Sequence, residues 1–452
     1  MKKLWMLTFL MLPLIASAQV DDSLSGPRSL VMDPVLLTDY ELPPRYLLKG
    51  AIVHTATGVV LTNGDVLVID GRITEVGQGV DATVGRVIDL NGMHLYPGLV
   101  SASSPLGLVE IAAVRATRDL SEVGGYTPDV RSWLAVNPDS ELIPVARAGG
   151  IAYSLAIPAG GVVSGQSGLI QLAGWGMEEM AFAKPVALHL NWPRMELRLQ
   201  EKERMGDPGK WKSPKDQEKQ RQEKVEEITE FFRDARAYLL AAGERRDVDV
   251  VPAWEAMRPY LERKKPVFVH ADDLRQIKGA VAWAGTNGVR IVICGGQDAW
   301  MAKELLAEKK VPVVYEHVFE QPARDADAHD QPFRNPGVLT KAGVEVAISL
   351  GMGRFSASVA RDLSHAAAHA ARHGMTDEEA LQSITIKAAR ILGVSDRVGT
   401  IEKGKLATLI ATDGPLLDVR SNVKRMWIEG VEQDLSSRHT RLYRRYQSRP
   451  KR

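Results

Sequence analysis

Between Leu95 and Ile348 short apolar runs alternate with stretches of helical period, and this alternation constrains the fold most, because it specifies parallel β/α architecture. The strand candidates are Leu95–Val100, Ile151–Ile157, Val186–Leu190, Val267–His270, Ile291–Cys294, Val311–Val314 and Val344–Ile348. Helical stretches such as Gln276–Ala284, Ala299–Ala307 and Thr376–Leu392 lie among and after them. Seven such runs over about 300 residues fit a TIM-like (β/α)8 barrel with one strand irregular or hidden.

The flanks have another rhythm. Leu47–Val53, Asp65–Ile69, Ile73–Val76 and Val87–Leu90 are β-like, with hairpin signals at Asn63-Gly64-Asp65 and Asp70-Gly71. Strand-like runs return at Ala407–Thr412 and Val423–Ile428. The expected organisation is an α/β barrel over 96–399 beside a small β-sandwich domain composed of 46–95 and 400–435. Glycine-rich Gly160–Gly174 reads as a hairpin excursion at a barrel mouth, and 194–245, dense in mixed charge, as a solvated helical excursion or a lid.

Residues 1–18 have the layout of a secretory signal: Lys2 and Lys3, an apolar stretch Leu4–Ile15, and Ala16-Ser17-Ala18 as a cleavage site. That stretch is short of the roughly 20 residues a membrane span takes, so no transmembrane segment is expected. A periplasmic or secreted protein is, with 19–45 as an extended arm and 436–452 as a basic tail holding Tyr443 and Tyr446, read as a frayed solvated end. The net charge of +1 and the sparse aromatics, 6% of the chain, argue against a nucleic-acid partner. Cys294 is the only cysteine, which excludes an intramolecular disulfide, and its apolar run reads it as a small buried hydrophobe.

Two motifs carry a family resemblance. Tyr96-Pro97-Gly98-Leu99-Val100 resembles the entry to the first barrel strand of the amidohydrolase superfamily, imidazolonepropionase-like branch. Ser383-Ile384-Thr385, Ala388–Gly393 and Val398–Ala407 are similar to the family's C-terminal signature. The resemblance spans residues 46 to 432 and implies metal-dependent hydrolysis of carbon–nitrogen bonds other than peptide bonds. It also implies a divalent ion (Zn, Fe or Mn) at the C-terminal end of the barrel, held by an H-x-H pair, a mid-barrel carboxylate, two further histidines and an Asp after the last strand. Such an ion lowers the pKa of bound water from about 15.7 to about 7, on the order of 12 kcal/mol of proton-removal cost.

Placed on this chain, the ligand set is depleted. The H-x-H positions hold Ser103 and Pro105, Cys294-Gly295-Gly296 stands where a histidine is expected, and Ile348-Ser349-Leu350 lacks the Asp. His270 is the one motif-matched ligand. His189, Glu316 and His317 also follow strands and, with His270, either rebuild a relocated metal site or line a pocket. His365, His369 and His373 repeat at helical spacing without the Glu of a H-E-x-x-H motif, so they read as packing or as a helical metal face. Ser101, Ser103 and Ser104 lack a partner base, and Gly165-Gln166-Ser167-Gly168 is a partial echo of a nucleophile elbow.

The catalytic residues stay unknown at this level. The leading expectation is an exported amidohydrolase-related protein with a degenerate metal site and weak or lost catalysis. It would need no cofactor and act as a binding or assembly subunit, as a homo-oligomer or beside an active paralogue, or hold a small molecule. The alternative is an active hydrolase of cyclic amides or dipeptides using relocated ligands around His270.

Overall fold

The computed structural model describes residues 45–81, 85–197, 199, 210–244 and 249–450; the signal and most of the arm lie outside them. Five strands come first: β1 (Arg45–His54), β2 (Val60–Ile69), β3 (Arg72–Gly77), β4 (Arg86–Asp89) and β5 (His94–Pro97). Eight follow: β6 (Leu99–Ser104), β7 (Ile151–Ala156), β8 (Val163–Gln171), β9 (Ala181–Asn191), β10 (Val267–Ala271), β11 (Ile291–Gly295), β12 (Val313–Tyr315) and β13 (Val346–Ile348). The chain then returns with β14 (Leu409–Thr412), β15 (Val423–Ile428) and β16 (Val431–Glu432).

The terminal strands make one eight-stranded sheet, ordered β16-β15-β14-β5-β1-β2-β3 with β4 on β1. The ends of the chain meet at β5, which pairs with β14, Leu409 opposite Pro97. Asp70-Gly71 makes the tight turn between β2 and β3, both residues at positive φ. Asn63-Gly64 does not: it lies inside β2, where the β1–β2 ladder shifts register, so the signal marks a bulge instead of a turn. Gly71 faces Gly430 back to back. A Cβ on Gly71 would stand 2.5 Å from the Glu429 carbonyl oxygen, and its φ of +74° disfavours any side chain. Gly71→Ala is therefore expected to destabilise the protein by about 2 kcal/mol, read as a lowered thermal midpoint. An unchanged midpoint would contradict this close approach.

The second sheet runs β13-β12-β11-β10-β9-β8-β7-β6, a nearly closed eight-stranded barrel. Its eighth strand is the glycine-rich segment. Residues 163–171 are no excursion but β8, antiparallel to both β7 and β9 and buried along almost its whole length. Gly165 and Gly168 belong there because a Cβ on either would come within 3 Å of Val130 or Trp133, which pack on the strand. Leu95–Val100 is split at Gly98 between the two sheets, where Ala152 and Thr408 leave no room for a Cβ.

Two helical expectations also change. Thr376–Leu392 is broken into helices Asp377–Ser383 and Ile386–Ile391, and the Ile384 carbonyl freed between them accepts the Val100 N–H. The basic tail is ordered over Arg438–Gln447, a helix started by the Ser437 side chain. The charged stretch contributes one long helix, Pro214–Glu244, which buries Ile228, Phe232 and Ala235 against the barrel core.

Candidate functional site

Parallel strands of a barrel end at one mouth, and the polar side chains of this protein's barrel gather there. His189 in β9 and His270 in β10 meet, Nδ1 to Nε2 at 3.0 Å. Burial lowers the pKa of both, His189 well below its ordinary value, with the neighbouring His270 adding to the effect, and His270 to about 4 against a small opposing pull from Asp272. Both rings are therefore neutral at neutral pH and share one proton across the contact. The other nitrogen of His189, Nε2, is buried without a hydrogen-bond partner.

His317 turns elsewhere. Its Nε2 donates to Asp272 Oδ1 at 2.7 Å and its Nδ1 to Glu320 Oε2 at 2.6 Å. Burial alone would push the ring down, but these two carboxylates outweigh it and carry its pKa up to about 10. His317 is thus an imidazolium with both nitrogens engaged and no lone pair to offer a metal. Asp272 and Glu320 were not singled out from sequence; the usable signal for Asp272 was its place two residues beyond His270.

Glu316, beside it, is held differently. Burial raises its carboxyl from the ordinary 4.5 to about 7, against opposing pulls from the Ser103 hydroxyl and the His317 charge. Glu316 Oε1 and Ser103 Oγ are buried and neither reaches ordinary hydrogen-bond geometry with a partner. The other oxygen of Glu316 packs on Gly351, where a Cβ would stand 2.7 Å away. Cys294, level with His270 in the ladder, is buried, and burial with the Glu316 and Asp272 charges holds its thiol in the protonated form.

The positions that the family resemblance assigns to metal ligands have another occupation. Ser349 Oγ accepts from the Ser103 N–H at 3.0 Å, donates to the Ser103 carbonyl at 2.7 Å and lies 3.3 Å from Ser101 Oγ. Since no ladder joins β13 to β6, these side-chain bonds stitch the barrel's seam. Pro105 is buried just after β6, its carbonyl accepting the Leu108 N–H at 2.9 Å. Among the described residues, no three His, Cys, Asp or Glu side chains are placed to hold a metal ion. The donors present do not fit the family's divalent ion: two neutral histidines face each other, the third is charged, and Ser103, Pro105, the protonated Cys294 and Ser349 stand at or beside the remaining positions.

The other sequence candidates are accounted for locally. His369 and His373 both pack against Phe333, at ring distances of 5.0 and 4.9 Å, while His365 leans toward Asp362. Ser167 Oγ donates to the Ala187 carbonyl at 3.4 Å, inside β8, where no nucleophile elbow forms.

The neutral histidine pair has a measurable consequence. A histidine whose folded pKa lies below its unfolded value stabilises above the unfolded pKa and loses that contribution as pH falls through the folded one. Stability should therefore fall between pH 6.5 and about 4. His270→Gln should remove about 2 kcal/mol of that pH dependence in urea unfolding. An identical pH profile for the variant would refute the burial of His270 as a neutral ring.

Residues 254–433 match the amidohydrolase family model. No curated protein matches the chain. Among solved structures, an amidohydrolase from Thermotoga maritima MSB8 is 27% identical, with a TM-score of 0.75 over 86% of this chain and 99% of that one. A prolidase complexed with N-methylphosphonate-L-proline shares 17% identity at a TM-score of 0.52, covering 86% of this chain and 99% of its own. A Xaa-Pro dipeptidase with bound methionine shares 15% at 0.51, covering 86% and 100%. The last two resemble this protein in fold alone. The family match thus covers the barrel from β10 onward and the returning strands β14 to β16, on a TIM-like fold shared with the Thermotoga amidohydrolase.

Proposed function

We propose that this protein is an exported member of the imidazolonepropionase-like branch in which metal-dependent carbon–nitrogen hydrolysis is weak or lost, and that it acts as a binding or assembly subunit. The barrel mouth would hold a small polar molecule without turning it over. One observation carries the reading: His189 Nε2 is buried and unpartnered, and Glu316 Oε1 and Ser103 Oγ, near each other, are buried short of ordinary hydrogen-bond geometry, while Ser103 and Ser349, at two of the family's ligand positions, are tied into the seam. A buried polar atom without a partner costs about 1–3 kcal/mol, so a ligand able to bond these three groups recovers binding energy there. Export rests on the signal-like residues 1–18.

The test is a thermal-shift and calorimetric screen of small lactams, amides and dipeptides against the full chain, with product analysis on the same mixtures. Binding without turnover, weakened at least roughly tenfold in Glu316→Gln, is expected if one charge-assisted bond of about 1.5–3 kcal/mol is lost. Metal-stimulated release of product would establish instead a hydrolase whose ligands are relocated around His270.

A further inference from the structure

We propose that the C-terminal helix Arg438–Gln447 docks the protein on an anionic lipid bilayer. The helix begins with a cap in which the Ser437 side chain accepts the Thr440 N–H, yet it buries none of its own residues. Ten residues form at best a marginal helix in water, so a helix this short and this exposed draws its stability from a surface it has still to meet.

Its sequence is segregated by chemistry. At 100° per residue, Leu442, Tyr446, His439 and Tyr443 occupy one arc, while Arg441, Arg445 and Arg438 fill the neighbouring arc with Arg444 at its edge. On this arc Tyr443 and Tyr446 are 67% and 65% exposed and Leu442 36%. Residues 438–452 contain seven Arg or Lys and no Asp or Glu. Attachment to the barrel is slight: Arg441 Nη2 meets Glu141 at 3.1 Å, and Arg361 lies 3.4 Å from His439 Nδ1.

An apolar arc bordered by arginines is the arrangement of a helix lying in a bilayer interface. Leu442 enters the acyl boundary, the tyrosine rings sit at headgroup level, and the arginines reach the phosphates. A polyanion such as RNA would satisfy the arginines but offer Leu442 nothing, and an acidic protein would need a matching apolar groove. The charge and the open apolar arc together select the membrane.

Co-sedimentation of the full chain with vesicles of phosphatidylcholine alone, and of phosphatidylcholine mixed with phosphatidylglycerol, tests this. Binding is expected only to the phosphatidylglycerol vesicles and should weaken as salt rises. The triple variant Arg438→Glu, Arg444→Glu, Arg445→Glu should bind roughly a hundredfold less, at about a tenfold loss per 1.4 kcal/mol with each arginine near 1 kcal/mol. Leu442→Ser with Tyr443→Ser should bind less at unchanged salt dependence. Both variants should melt with the wild type, since no buried group changes. Equal vesicle binding by wild type and the charge-reversed variant would overturn the proposal, and so would retention of the wild type on single-stranded RNA without vesicle binding.

Discussion

Replacing Glu316 by Gln is expected to make the protein more stable at pH 8 by about 3 kcal/mol, and by almost nothing at pH 4. The Glu316 carboxyl has a folded pKa of about 7 against an ordinary 4.5. For a group raised in this way, stability is fully present below the unfolded value and is lost as pH rises through the folded one. Above pH 7 the native state must keep a carboxylate in a largely buried place where Oε1 has no partner. Gln fills the same volume without the charge. Urea unfolding of wild type and variant across this range reads the difference directly, and a pH-independent gap would contradict the burial argument. Stability gained together with ligand binding lost is the signature of a residue kept for function rather than for folding.

Ser349→Ala should act in the opposite direction. It removes the acceptor of the Ser103 N–H and the donor to the Ser103 carbonyl, both buried, at the one junction of the barrel that no ladder closes. Stranding a buried backbone N–H and losing the second bond should cost about 3 kcal/mol at any pH. Hydrogen exchange should localise the loss: amides of β6 and β13 should exchange faster in the variant while those of β1 and β2 keep their protection. A uniform loss of protection, or none, would show that Ser349 is not the stitch.

The fold was legible because its signals are long and periodic. Apolar runs at regular spacing gave seven of the eight barrel strands, and the strand-like ends gave the shared sheet. β8 escaped because Ser164-Gly165-Gln166-Ser167-Gly168 lacks the bulky apolar alternation of a strand; only the packing of Val130 and Trp133 explains its glycines. The break at Ile384–Thr385 escaped because the Ile384 carbonyl is claimed by Val100, far away in sequence. The terminal helix escaped because its cap uses Thr440 where the usual signature has Glu or Gln.

The site was legible as a set of strand ends and no further. Sequence places His189, His270, Glu316 and His317 near one mouth, but side-chain pairing is decided over a few ångströms. His189 and His270 do come together, whereas His317 is drawn to Asp272 and Glu320. Charge explains the division: a histidine flanked by two carboxylates becomes a cation, and two histidines buried against each other stay neutral.

The direct test is the metal content of the full chain, purified without chelators and dialysed against zinc, iron(II) or manganese, read beside its turnover of lactams and dipeptides. With the donors paired as described, bound metal should stay far below one ion per chain and should not change in His270→Ala. One tightly held ion per chain that is lost in His270→Ala, together with hydrolysis that follows the metal, would contradict the account.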